Sequence, residues 1–288
     1  MNDFRIPVGS WADSAVDWLT SNLSALFRLI ADVLSWLFDL AELVFTTPPF
    51  WAVILVLAAV AFFAKSWKLA LATVVGLGLI YGMNQWDNAM ATIALVLVAS
   101  AIATVVAIPL GIWAARSGVV SAVLRPVLDF MQTMPAFVYL LPAVILFRVG
   151  VVPGIVATII FAMAPGVRFT ELGIRQVDRE VVEAGHAFGA TPGRILRQVQ
   201  LPLALPTIMA GINQLIMLSL SMVVIAGMVG APGLGQPVVQ ALQSVNIGLG
   251  AEAGLAVVIL AMYLDRVTAA LGDRAPVSRA LKVRAAED

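Results

Sequence analysis

The chain contains no cysteine. Disulfide scaffolds, thiol nucleophiles and Cys-ligated metal sites are thereby excluded. His186 is the only histidine, so a zinc site built on histidines or a Ser-His-Asp triad would rest on that one side chain. Charge is scarce. Asp, Glu, Lys and Arg make up 12% of the residues, against roughly 25% in an ordinary soluble domain. The 17 basic and 17 acidic residues cancel, so no basic surplus points to nucleic acid. There is no Gly-Lys-Ser/Thr phosphate loop, no nucleophile elbow and no paired Asp motif inside the apolar segments. If ATP drives this protein, another chain binds it. No internal repeat is visible, which weighs against the inverted-repeat secondary transporters. The N-terminus has no basic stretch followed by a compact apolar run, so it does not read as a cleaved signal peptide.

What is abundant is apolar surface: 61% of the residues, with a mean hydropathy of +0.99. A polytopic membrane protein follows, all-α because a bilayer leaves no other way to satisfy the backbone of a spanning segment except a closed barrel. About 20 apolar residues cross a ~30 Å hydrocarbon core. Seven segments qualify: 49–64, 67–83, 89–114, 127–147, 151–171, 203–230 and 250–270. Pro135 and Pro142 interrupt the fourth, and Asn213, Gln214, Ser219 and Ser221 punctuate the sixth. Such residues survive where neighbouring helices or a water-filled path satisfy them, so the interior and any conduit are expected beside these two segments. The chain divides into an amphipathic N-terminal segment (1–48), a transmembrane domain (49–271) and a tail (272–288).

From Ser10 to Phe45 apolar and polar residues interleave at helical spacing, and Thr46-Thr47-Pro48-Pro49 ends the pattern. One long amphipathic helix, or two, is predicted. It either packs on the bundle for stability or lies in the membrane interface, where its tryptophans suit the headgroup region. Orientation follows from the basic residues. With a cytoplasmic C-terminus, 14 of the 17 fall inside, and only Arg5, Arg28 and Arg148 fall outside. The predicted topology has the N-terminus out and the C-terminus in. Segment 231–249, opening on the turn Pro232-Gly233-Leu234-Gly235-Gln236, is then the longest external loop between spans and a place for a binding protein to touch.

The longest cytoplasmic loop, 172–202, is polar yet helical in pattern, with Val177, Val181, Val182, Ala184, Ala187 and Phe188 read as one face. Asp178 is placed to cap its start, and Gly189 and Thr191-Pro192-Gly193 to stop it. A second short helix begins near Ile195, and Leu201-Pro202 opens the sixth span. A short helix on a protein with little other cytoplasmic mass is a docking element. Its small residues Ala184, Gly185 and Gly189 would let a partner approach.

This loop resembles the permease subunits of ABC-type importers. Their pattern is Glu-Ala-Ala, three residues, Gly, nine residues, Ile, any residue, Leu-Pro. Here Glu183-Ala184-Gly185, Gly189, Val199 and Leu201-Pro202 stand at those spacings, with Gly185 and Val199 as departures. The stretches 131–147, 152–162, 167–177, 201–214, 220–236 and 256–268 are similar to the glycine betaine/proline betaine branch of that family. The resemblance implies a coupling helix seated in a groove of a separate ATPase, contacting it through Glu183, Ala184, Gly185, His186, Gly189, Leu201 and Pro202. It also implies two ATPase subunits holding ATP and Mg²⁺, a second permease copy, a substrate-binding protein and no cofactor in this chain.

On type alone, Glu183 is a solvated charge and His186 a polar interface residue. Arg168 and Glu171, three apart at the end of span five, pair locally or form a cytoplasmic gate. Phe130, Gln132, Phe137 and Tyr139 in span four, with Asn213 and Ser219 in span six, are core or lipid-facing residues, or else line a path where aromatic faces receive a quaternary ammonium. Gly250 and Gly254 make a small-xxx-small pair that reads as a helix interface. The expected function is the permease of an ABC importer for a betaine-like solute. The alternative is a stand-alone transporter or channel, and no enzymatic chemistry is expected.

Overall fold

A computed structural model describes residues 7–273. Arg5 and the tail residues Arg274, Arg279, Lys282 and Arg284 lie outside them. Every regular element among the described residues is a helix. The N-terminal pattern becomes two helices, α1 (Val8–Asn22) and α2 (Ser24–Thr46), and the chain then turns by 100° at Thr47-Pro48-Pro49 into α3 (Phe50–Ala64). Helix α4 (Trp67–Gly82) returns beside α3. The long α5 (Trp86–Arg116) and α6 (Gly118–Thr133) follow.

The fourth predicted span is not one helix. Helix α6 starts nine residues earlier, at Gly118, and the chain bends by 106° before a 3₁₀ turn (Ala136–Tyr139) and α7 (Leu140–Phe147). Met134 is extended (φ −66°, ψ 134°), as a residue before proline must be, because the Pro135 ring clashes with a helical predecessor. Pro142 breaks nothing. It sits in the first turn of α7, where an N–H has no helical acceptor to lose. The Tyr139 hydroxyl donates to the Met131 carbonyl at 2.5 Å and closes the break.

Helices α8 (Val151–Arg175), α9 (Arg179–Ala187), α10 (Pro192–Ile195), α11 (Leu201–Gly227), α12 (Gly235–Ser244) and α13 (Ile247–Asp273) complete the chain. Leu201-Pro202 opens α11 with Pro202 in its first turn, as expected, but the helix does not begin there. The helix runs unbroken from Pro192 to Gly227 through a π turn at Leu196–Gln200. A widened turn suits the chain there, because Pro202 has no N–H to give and its ring would crowd the carbonyl four residues back. Among the described residues four helices are long and apolar enough to cross a membrane: α5, α8, the 192–227 helix and α13. The bent pairs α2–α3 and α6–α7 raise this to six, and α4 is a shorter apolar helix.

The centre is α8, gripped between α5 and α11. In lipid, helices gain little by hiding apolar side chains, so close backbone approach matters more. A Cβ on Gly111 of α5 would stand 2.5 Å from Thr170 Cβ of α8, and one on Gly211 of α11 would stand 2.5 Å from Phe169 Cβ. Ala103, Ala107, Ala162 and Ala164 fill the same seams. Segment 231–249 opens on a buried turn and is exposed at its far end, 242–248. Ala231, Gly233, Leu234 and Gly235 are buried, and α12 occupies most of the rest. The buried Leu234 N–H donates to Thr92 Oγ1 of α5 at 2.8 Å. A Cβ on Gly235 would meet the Val223 carbonyl oxygen at 2.2 Å, so the turn lies directly on α11. Gly250 meets Ala241 of α12, while Gly254 faces open space. The small-xxx-small pair therefore does not act as one interface within the chain.

Candidate functional site

Helix α9 is held from both ends. Asp178 Oδ1 accepts the Glu180 N–H at 2.9 Å, the cap expected from the sequence. At the other end Ala190 N–H bonds the Gly185 carbonyl at 3.1 Å and Gly189 N–H the His186 carbonyl at 2.9 Å. This pair of bonds is a Schellman closure, which needs a left-handed residue in the Gly189 position, and Gly189 has φ +76°.

The inner side of α9 rests on α10 and the π turn. A Cβ on Gly185 would lie 3.3 Å from Ile195. The smallness of Gly185 thus serves packing against Ile195 inside the chain. The six apolar residues expected on one face divide. Val182 points inward, and Val181, Ala184 and Phe188 form an exposed stripe, with Phe188 91% exposed. Sequence spacing could have found this stripe, because positions 181, 184 and 188 share a helical face. Glu183 and His186 are exposed, and Glu183 borders a small cavity with Arg175, Arg179 and Gln200. Leu201 and Pro202 are half-buried at the head of α11.

Arg168 and Glu171 do not pair. Arg168 reaches Asp129 of α6, and both side chains are exposed. Glu171 is buried, and its Oε1 accepts from Ser121 Oγ (2.7 Å), Arg175 Nε (2.9 Å) and Arg125 Nη2 (3.5 Å). Arg175 also donates to the Ala114 carbonyl at the end of α5, at 2.9 Å. Glu171 therefore ties α5, α6 and α8 together beside the root of α9. Its Arg175 partner stands four residues on and was legible. Ser121 and Arg125 come from 50 and 46 residues away, and no local signal announces them.

The six candidate path residues fall into three sets. Phe130, Gln132 and Phe137 are exposed around the Pro135 break. Tyr139 and Ser219 are buried and bonded to backbone carbonyls, Ser219 to Leu215 at 2.9 Å. Asn213 is turned toward α13, donating to Asp265 at 3.0 Å and accepting from Thr268.

Long apolar helices joined around a small-residue seam, with one capped helix presenting an apolar stripe, make a multi-pass membrane protein. The chain belongs to the family described as the binding-protein-dependent transport system inner membrane component, which it matches over residues 107–275. It is 50% identical to the glycine betaine/carnitine transport permease protein GbuB of Listeria monocytogenes, over 94% of this chain and 97% of that one. It is 48% identical to the glycine betaine transport system permease protein OpuAB of Bacillus subtilis, over 92% and 94%. The fold matches a solved structure of the MetNI methionine ABC transporter in inward-facing conformations, with a TM-score of 0.58 and 23% identity, over 66% of this chain and 92% of that one.

Proposed function

We propose that this chain forms the path for a small quaternary-ammonium compatible solute of the glycine betaine, proline betaine or choline type. A substrate-binding protein delivers the solute, and ATP hydrolysis on a separate subunit drives it. The observation that carries this reading is the 48–50% identity, over nearly the whole chain, to permeases named for glycine betaine. Helix α9 supports the coupling half of it. Its ends are fixed by Asp178 and Gly189, its inner side is packed, and its outer stripe of Val181, Ala184 and Phe188 is uncovered. A rigid helix of this kind transmits displacement from a partner's groove to α8 and α11.

Two ATPase subunits and a second permease copy complete the assembly, with ATP and Mg²⁺ held on the ATPases and no cofactor in this chain. The N-terminus is external and α9 cytoplasmic, on the strength of the charge bias. Phe130 and Phe137 offer faces to the trimethylammonium group, each worth roughly 0.5–2 kcal/mol, with Gln132 beside them. Arg168–Asp129 and the Glu171 cluster form the cytoplasmic gate.

The test is uptake into proteoliposomes by the assembly of permease, ATPase and binding protein. Import of glycine betaine that requires ATP and the binding protein is expected. ATP-independent uptake by this chain alone, or failure to carry any betaine, choline, carnitine or amine oxide, overturns the reading.

A further inference from the structure

Helix α2 has three faces. Ile30, Ala31, Leu34, Phe38, Ala41 and Phe45 pack into the core cluster, and α2 meets α5 and α8. Arg28, Asp32, Ser35, Asp39 and Glu42 form a polar stripe. Between these two, on the third side, Leu29, Val33, Trp36, Leu40 and Leu43 are all exposed. Water does not accommodate a continuous apolar stripe of these five side chains beside an already buried one. The chain bends by 100° between α2 and the uncharged α3, so α2 stands at a steep angle to a membrane-crossing α3. A helix so placed, with one face on protein, one apolar and one polar, lies at the boundary between acyl chains and headgroups.

At the start of α2 an open cavity of about 510 Å³ separates it from the end of α7. Ser24, Phe27, Arg28 and Asp32 line one wall, Phe147 and Arg148 the other. Phe27 and Phe147 meet edge to face at 5.5 Å and form an apolar floor. Neither guanidinium, nor the Asp32 carboxylate, has an ion-pair partner among the described residues. Arg148 also stands at φ +66°, ψ −175°, a backbone region that glycine occupies and other residues avoid. An arginine held there costs stability, and its side chain makes no ion pair among the described residues in return.

We infer that this cleft binds the headgroup of a membrane aminophospholipid, its phosphodiester between Arg28 and Arg148 and its ammonium at Asp32. The acyl chains run along the exposed stripe of α2. Two guanidiniums match a phosphate. Arg28 and Asp32 are four apart on one helix, with Cβ atoms about 5–6 Å from each other, a spacing that suits the phosphate and amine ends of phosphatidylethanolamine. This assignment is independent of the transported solute.

The test is native mass spectrometry of the full chain extracted from bilayers of equal phosphatidylethanolamine, phosphatidylglycerol and phosphatidylcholine. The wild type should retain phosphatidylethanolamine, and Arg28→Gln and Arg148→Gly should each weaken retention by about fivefold. Arg148→Gly relaxes the backbone, so its melting temperature in lipid-free detergent should not fall, which separates lost binding from lost folding. Asp32→Asn should erase the preference for phosphatidylethanolamine over phosphatidylglycerol. Unchanged retention in the Arg28→Gln/Arg148→Gly double variant overturns the assignment. So does displacement of the lipid by millimolar glycine betaine, which would make the cleft a solute site.

Discussion

Replacing Glu171 removes one negative charge from the junction of α5, α6 and α8. The residue is 7% exposed, and one of its oxygens takes three donors. The donors differ in what they lose. The Arg125 side chain is 65% exposed, so it rehydrates, and its contact is worth about 0–1 kcal/mol as a surface pair. Arg175 is 40% exposed and keeps its bond to the Ala114 carbonyl. The Ser121 hydroxyl is buried and has no other partner among the described residues. Leaving it unsatisfied costs about 1–3 kcal/mol. Glu171→Gln keeps an acceptor for Ser121 and loses only the charge, for a cost of about 1–2 kcal/mol. Glu171→Ala loses both and leaves a hole, for about 2–4 kcal/mol. Thermal melts of the purified permease, followed by tryptophan fluorescence, should rank the variants Arg125→Ala, Glu171→Gln, Glu171→Ala in order of increasing damage. Adding Ser121→Ala to Glu171→Ala should restore part of the loss, because the orphaned hydroxyl is gone. A Glu171→Ala protein that melts like the wild type, or an Arg125→Ala protein that melts below Glu171→Ala, refutes the reasoning.

Gly189→Leu strains a left-handed position at φ +76°, and Glu183→Lys reverses a charge on α9. Both should abolish solute-stimulated ATPase activity in the reconstituted assembly while membrane insertion stays normal, and normal uptake by either would remove α9 from the coupling role. Single cysteines at Ser14 and Thr191, both exposed, can be labelled without background thiols. An impermeant reagent on intact cells should reach the Ser14 site and spare the Thr191 site, and the reverse pattern inverts the topology. Gly235→Ala places a methyl 2.2 Å from a backbone oxygen of α11 and should cost about 1–3 kcal/mol or more. Unaltered melting of that variant would mean that the turn does not lie on the helix.

Much of α9 was legible because it is local. Caps act over three or four residues, and Asp178, Gly189 and Pro192 announce themselves in order. Its inner side was not legible, because Gly185 is small for the sake of Ile195, which the chain delivers only after the helix has reversed. The Pro135 break shows both cases in one segment. The two prolines look alike in sequence, yet only the one whose neighbour was forced out of helical geometry bends the chain. The turn that opens segment 231–249 shows a related limit. Proline and glycine mark a turn in any environment, and they do not say whether the turn faces water or, as here, lies under the backbone of α11 and the hydroxyl of Thr92.

By itself the sequence determined the membrane setting, the helical class and the position and limits of α9. These depend on transfer of side chains between water and lipid, and on hydrogen bonds that close within a turn. Only the tertiary structure decided who Glu171 and Arg168 pair with, which stripe of α9 is free, and that Asn213 belongs to α13. It alone also set Arg28 opposite Arg148, across a gap of more than a hundred residues in the chain. Partner choice of that kind is fixed by which helices small residues allow to touch, and no local pattern encodes it.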